Sequence, residues 1–253
     1  MSTDNNYLDI PAAGRDGFIY RIIKTCYLFK LLSTGKNVLV RPKLWDDPFE
    51  NFILHSHFIS NGEPVIIDAR DHFYGQCWTF ERASDAIWRI YSPNSKAVRI
   101  RSTIRRLAES LSSWRGNWAV QEAFIGRVRY LKSQDLVAFG NSVLRGHEGP
   151  LTHRTLARTL LVKRPAFKHE REVQLLFTPH DFHNFTRDLL PYPVEPNSLI
   201  DQVVLDPRMD NPKAAILKRK IRAAGFAGEI KRSLLYAPPP DLRIPWEPTG
   251  AAS

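Results

Sequence analysis

The sequence predicts a single α+β domain: a central, mixed or antiparallel, partly split sheet with helices packed on it. Three observations predict it. Segments alternating with period two, the signature of strands, recur along the chain, most clearly at residues 17–23, 75–80 and 167–177. Between them lie stretches with helical spacing and capping residues, such as the one opening at Ser102. No repeat or internal linker interrupts the 253 residues, a length that buries a full core. Residues 1–16 read as a polar tail and 237–253 as a proline-rich one.

Taken in order, residues 17–23 (GFIYRII) form a strand with Phe18, Tyr20 and Ile22 on one face and Ile19, Arg21 and Ile23 on the other. Arg21 stands between two isoleucines. Its guanidinium either meets a carboxylate or phosphate, because an unpaired buried charge is costly, or lifts its head to solvent over a packed stem. Residues 27–32 make a short helix stopped near Gly35, and 37–41 a short strand. In Asp46-Asp47-Pro48-Phe49-Glu50, Asp47 suits an N-cap, Pro48 the first helical position and Glu50 the third, opening a helix towards Phe58. Capping accounts for these acids without chemistry.

Residues 65–67 are a short strand. Residues 75–80 (GQCWTF) are another, with Cys77 and Thr79 on one face and Trp78 and Phe80 on the other. A helix starts at Ser84 with Ile87, Ile90 and Tyr91 on its inner stripe, and residues 96–101 return as a strand. From Ser102 a helix places Ile104, Leu107, Ala108, Leu111 and Trp114 at core spacing, with Arg105 positioned to pair with Glu109. Trp114 and Trp118 are core residues rather than a stacking platform.

Residues 123–131 are a strand, followed by helices over 136–144 and 151–162. The stretch 167–177 (FKHEREVQLLF) sets Glu170, Glu172 and Gln174 on one face and Arg171, Val173, Leu175 and Phe177 on the other. The two carboxylates stand about 6–7 Å apart along such a strand. In a cleft that pair needs a cation, metal or ligand; on an open face it is a solvated edge. Residues 179–196 read as a long loop, 199–205 as a strand, 211–225 as a helix and 229–236 as a last strand.

Hydrophobic residues make up 43% and charged residues 25%, as in an ordinary folded protein. No apolar run approaches the ~18 residues of a membrane span, and residues 1–17 lack the pattern of a secretory signal. The only cysteines are Cys26 and Cys77. The expectation is a cytoplasmic protein in a reducing setting, with no membrane partner. A net charge of +10 favours anionic partners: nucleic acid, a phosphate-bearing cofactor or an acidic protein.

His55 and His57, and His180 and His183, are the closest histidine pairs, and neither has zinc-site spacing, so no metal is expected. There is no phosphate loop and no nucleophile elbow. Asp206 after one strand, with Glu229 and Lys231 opening another, resembles the acid and E-x-K arrangement of metal-dependent nucleases. Lys213, Lys218, Arg219, Lys220 and Arg222 form an acid-free cationic helix face. With Arg99, Arg101, Arg127 and Arg129 it describes a nucleic-acid-binding module without catalysis, or simply a solvated surface.

The order of motifs over residues 18–236 resembles an uncharacterised bacterial family, domain of unknown function 2971. The matching residues are Tyr20-Arg21, Asp46 to Glu50, Cys77-Trp78-Thr79, Trp88 and Tyr91, Lys163 leading to Glu170-Arg171-Glu172, residues 203–208, and Ser233 and Leu235. Gln174 stands where that family usually has Arg. The strand order is in turn similar to that of ADP-ribosyltransferases. That resemblance implies NAD as co-substrate and a macromolecular acceptor, protein or nucleic acid. It also implies Glu172 as the catalytic carboxylate with Glu170 assisting, and Tyr20, Arg21, Thr79, Trp88 and Tyr91 around the dinucleotide. Toxin or phage-defence biology is the setting such bacterial families suggest.

Overall fold

The structure, a computed structural model, describes residues 4–45, 58–60, 62–65, 72–82, 84–115, 122–144, 152–180, 185–237 and 241–246. Its first half runs through β1 (Tyr7–Leu8), β2 (Phe18–Lys24), α1 (Thr25–Thr34), β3 (Lys36–Val40), β4 (Phe58–Ser60), β5 (Glu63–Val65), β6 (Tyr74–Thr79), α2 (Asp85–Tyr91), β7 (Ala97–Thr103) and α3 (Ile104–Arg115). The second half follows with β8 (Ala123–Arg127), β9 (Arg129–Tyr130), α4 (Ser133–Leu144), α5 (His153–Leu160), β10 (Val162–Lys163) and β11 (Glu172–Phe177). It ends with β12 (Leu189–Pro193), α6 (Pro196–Leu199), β13 (Gln202–Leu205), α7 (Asn211–Ala223) and β14 (Glu229–Arg232).

Among the described residues, ten of these strands join one sheet. Its main path is β1-β8-β11-β6-β2-β7-β13-β14, with β3 held on β6 and β12 on β3. The pairs β1–β8 and β13–β14 are parallel and the others antiparallel, so the protein is α+β with a mixed sheet.

The sheet forks at β6. One edge of β6 pairs with β11 along its whole length, from Glu172↔Thr79 to Phe177↔Tyr74. Its other edge meets β2 only at Tyr20↔Thr79 and β3 only at Val40↔Gly75. Between those two points the sheet is open, which is the split the sequence predicts.

Alternation on β11 divides the core. Val173, Leu175 and Phe177 enter the larger cluster with Ile19, Ile100, Leu28 and Leu31 of α1, and Leu107 and Leu111 of α3. Leu176, facing the other way, joins Leu8, Phe124 and the inner stripe of α5, Leu156, Ala157 and Leu160. Each fully buried leucine contributes about 1.5–3 kcal/mol. α1 ends as expected at Gly35, whose φ of 60° puts it in the left-handed region, with its amide donating to the Leu31 carbonyl.

Several expectations are corrected. The N-terminal segment is no free tail: Tyr7 and Leu8 are buried and pair with Ile125 and Gly126. Prolines argued for a loop over 179–196, yet β12 forms there, Pro191 included. β12 pairs only with β3 and therefore lies at an edge, where a missing amide is tolerated. Ile90 and Tyr91 are exposed, and α2 instead buries Ile87 and Trp88. Arg105 bonds Asp16 across the fold, at 2.7 and 2.9 Å, instead of Glu109. Trp114 is partly buried, packed against the core and stacked on Tyr192. The capped helix from Asp47 lies outside the described residues except for Phe58, which opens a strand; Trp118 also lies outside them. No described helix is long and apolar enough to cross a membrane.

Candidate active site

The acidic strand starts later than its alternation predicts. Residues Pro165–Glu170 form a 3₁₀ turn, and Arg171 adopts φ 44°, ψ 56°, before β11 begins at Glu172. A left-handed arginine is uncommon. Here it reverses the chain between the two acids, and its carbonyl is taken by the Phe80 amide at 3.0 Å. β11 is then paired on both edges, with β6 and with β8, and all six of its residues are buried. Glu172 is 4% exposed and Glu170 7%, which rules out the solvated-edge reading.

A buried ammonium answers the two acids. Lys163 of β10, 2% exposed, places Nζ 3.0 Å from Glu170 Oε2 and 2.7 Å from Glu172 Oε2. The first contact is a hydrogen bond, while the second is an ion pair not aligned as one. Tyr91 donates its hydroxyl to Glu170 Oε1 at 3.0 Å. The Glu172 amide donates to the Tyr130 hydroxyl at 2.9 Å. Burial pushes the Glu172 carboxyl above its usual range, opposed by the charge of Lys163 and a contact from the Cys77 thiol. Burial likewise pushes Tyr130 up to about 12 and raises Tyr91, where the nearby glutamates add to the effect.

The fork opens onto these groups. A cavity of about 120 Å³ is lined by Tyr20, Arg21 and Ile22 of β2, Cys77, Trp78 and Thr79 of β6, Ile87 and Tyr91 of α2, and Glu170 and Glu172. Thr79 is the register partner of both Glu172 and Tyr20. Its hydroxyl donates to the Glu170 carbonyl and accepts from the Glu81 amide at 2.8 Å, so it braces the acidic turn.

Arg21 alternates with Ile19 and Ile23 and stands opposite Ile100, on the face away from Thr79. It borders the fork cavity and also a second one, of about 220 Å³, lined by Tyr27, Lys30, Lys36, Asn37 and Gln76 among others. Burial lowers its pKa, and the Cys77, Tyr192 and Tyr91 side chains partly offset the shift. Among the described residues Arg21 has neither a hydrogen-bond nor an ion-pair partner.

Of the residues read as dinucleotide-binding, Tyr20, Arg21, Thr79 and Tyr91 line the fork cavity together with Glu170 and Glu172. Trp88 does not: it is fully buried under α2, a packing residue. Sequence reasoning missed Lys163 as the bridge, Tyr130, and the Lys30 and Lys36 pair. The order of motifs alone singled out Lys163, since a two-residue strand carries no local signal. Gln174, fully buried next to this site, has no hydrogen-bond partner for either amide atom among the described residues.

The nuclease arrangement is contradicted. Asp206 is fully buried and bound to Arg208 and Ser92, with Arg208 Nη2 at 2.8 Å and Ser92 Oγ at 2.6 Å from Oδ2. Glu229 pairs with Lys231 at 2.6 Å and sits opposite Gln202, at the far end of β13 from Asp206. Parallel register thus holds the two acids about 13 Å apart along the strand. No metal-ligating group of three or more His, Cys, Asp or Glu occurs among the described residues; His55, His57 and His183 lie outside them, and His180 packs edge-on against His153.

The basic surface is also less continuous than its sequence implies. On α7, Lys218, Arg219 and Lys220 are exposed, while Lys213 pairs with Asp210 at 2.7 Å and Arg222 bonds the Phe226 carbonyl. Arg99 is buried over the Tyr20 ring, Arg101 pairs with Asp201, and Arg127 and Arg129 cover Phe80 and Phe139. Of these four, Arg99 is taken up by burial and Arg101 by its ion pair, whereas Arg127 and Arg129 are exposed.

No family model matches the sequence, so the likeness to domain of unknown function 2971 stays a resemblance. No curated protein matches it either. Among solved structures, Thermus sp. 2.9 DarT in complex with carba-NAD+ aligns at TM-score 0.39 and 11% identity, over 86% of this chain and 96% of that one. The same protein in complex with NAD+ gives 0.39 and 11% over 88% and 97%. In complex with ADP-ribosylated ssDNA it gives 0.39 and 10% over 89% and 96%. A likeness this distant carries no argument about activity, which rests on the chemistry of the fork.

Proposed function

We propose that this chain is an ADP-ribosyltransferase-like enzyme that takes NAD as co-substrate and modifies a macromolecular acceptor. The observation that carries the reading is convergence. Glu172, Glu170, Thr79, Tyr20, Arg21 and Tyr91 come from four separate parts of the chain and border one cavity at the opening of the sheet.

In this reading the ribose end of the dinucleotide lies against Glu172. The C1′–nitrogen bond breaks, nicotinamide leaves neutral with the bonding pair, and positive charge develops at C1′. A carboxylate held in a dry cavity stabilises that charge far better than one in water. An acceptor lone pair then forms the new bond to C1′, and its proton passes to the Glu170 side of the pair. Thr79 keeps the acidic turn in place through the Glu170 carbonyl. Arg21, with Lys30 and Lys36 beyond it, presents cations without an acid among the residues bordering that second cavity, which suits the phosphates.

The residues bordering the two cavities fit a nucleotide co-substrate. The exposed cations of α7 give a surface for a nucleic-acid acceptor; a binder without chemistry would show steep salt dependence that Glu172→Gln leaves intact. Cytoplasmic residence and a toxin or defence role belong to the same proposal. Release of nicotinamide from NAD by the purified protein, and its loss in Glu172→Gln, is the test.

A further inference from the structure

We infer that Lys163 is a positioning residue of this pocket: its buried ammonium bridges the two glutamates and holds Glu172 as an anion aimed at the fork. The inference rests on the reading of Glu172 as the reacting carboxylate, and its test separates the two.

The geometry requires a cation here. Two carboxylates that each lie within 3.0 Å of one Nζ repel each other strongly in a dry site unless that charge is present. Among the described residues, the groups facing Glu172 from neighbouring elements are few. Tyr20 stands on β2, Thr79 and Cys77 on β6, Tyr91 on α2, Tyr130 on β9, Lys163 on β10 and Glu170 on the turn before β11. Among these only Lys163 is a cation within ion-pair distance of Glu172. Arg21, the other cation at the cavity, stands on the sheet face away from Thr79 and has no ion pair with Glu172.

Lys163 is also fixed by its surroundings. β10 pairs in parallel with β9, Lys163 opposite Tyr130, so the ammonium and the hydroxyl that holds the Glu172 amide come from adjacent strands. Phe167 lays its ring 5.5 Å from Nζ. A lysine with 2% exposure has little freedom, and both carboxylates inherit its position. The cation serves twice: it keeps a buried acid charged and sets the direction in which it points.

The experiment follows the glutamate carboxyl carbons and lysine side-chain nitrogens by NMR titration, with Glu172→Gln and Lys163→Met assigning the signals. In the unmodified protein the Lys163 nitrogen should shift in step with the titration of Glu172. In Lys163→Met the Glu172 midpoint should rise by about 1–3 pH units, the usual effect of losing an adjacent cation, and Lys163→Arg should restore most of it. Where nicotinamide release is measurable, its acid limb should move with the Glu172 midpoint. An unchanged midpoint in Lys163→Met overturns the inference. Should that variant not fold, a Lys163 nitrogen indifferent to Glu172 in the unmodified protein overturns it. Absence of nicotinamide release counts against the transferase reading alone, because the titration is still decided without it.

Discussion

Thr79 and Glu172 stand directly opposite each other across the antiparallel pair of β6 and β11, and Thr79 with Tyr20 makes the one register pair between β6 and β2 among the described residues. One residue thus joins the acidic strand, the fork and the first long strand. This is why residues more than 150 positions apart border a single cavity, and why the acid pair is not a surface feature.

The Asp206–Arg208–Ser92 cluster is structural. Burial disfavours the charged carboxylate, yet the bonds from Arg208 and Ser92 outweigh it and hold its pKa below the usual carboxylate range. Asp206→Asn should destabilise the fold by about 3 kcal/mol, the order expected for breaking a buried pair. Chemical denaturation measures it. Nicotinamide release per folded molecule should be unaffected, because Asp206 does not border the fork.

Gln174 makes the opposite prediction. Among the described residues neither of its buried amide atoms is bonded, which costs about 1–3 kcal/mol. Gln174→Leu should therefore raise the melting temperature, read by calorimetry. A lower one would mean that the amide has a role in the folded state.

For pH dependence the sign follows from Glu172, whose pKa is raised in the fold, mainly by burial. A raised acid contributes its stability fully below the unfolded value and loses it as pH rises through the folded one. Each unit of elevation is worth about 1.4 kcal/mol. Relative to the parent protein, Glu172→Gln should gain stability as pH rises from about 4.5 upward. A stability difference that stays flat with pH would contradict the assignment.

Lys30 and Lys36 border the second cavity with Arg21 and have no ion-pair partner among the described residues. Reversing both charges should weaken NAD binding, measured calorimetrically at low salt, by roughly tenfold or more, since two favourable contacts become unfavourable. Glu172→Gln should leave that binding within a few fold.

Much of the architecture was legible because strands with a covered apolar face announce themselves by alternation. Residues 17–23 and 75–80 became β2 and β6 nearly as read, and the helix after Ser102 buried its forecast stripe. What alternation cannot express is a break in the backbone. The left-handed Arg171 delays the acidic strand until Glu172, so Glu170 belongs to a turn, and only the fold reveals that Lys163 gathers both acids. Partner strands are equally invisible in local sequence: β12 with its prolines looks like a loop until β3 supplies its ladder. Charge patterns misled for the same reason. Asp206 and Glu229 looked like one site, and parallel register placed them at opposite ends of β13.

The most direct test of the central claim is nicotinamide release from NAD by the purified protein, followed by chromatography with candidate protein and nucleic-acid acceptors present. The account predicts release in the parent protein and a loss of about a hundredfold to a thousandfold in folded Glu172→Gln, as removing one preorganised electrostatic group does elsewhere. Intact NAD after prolonged incubation, or release that persists in Glu172→Gln, would contradict it.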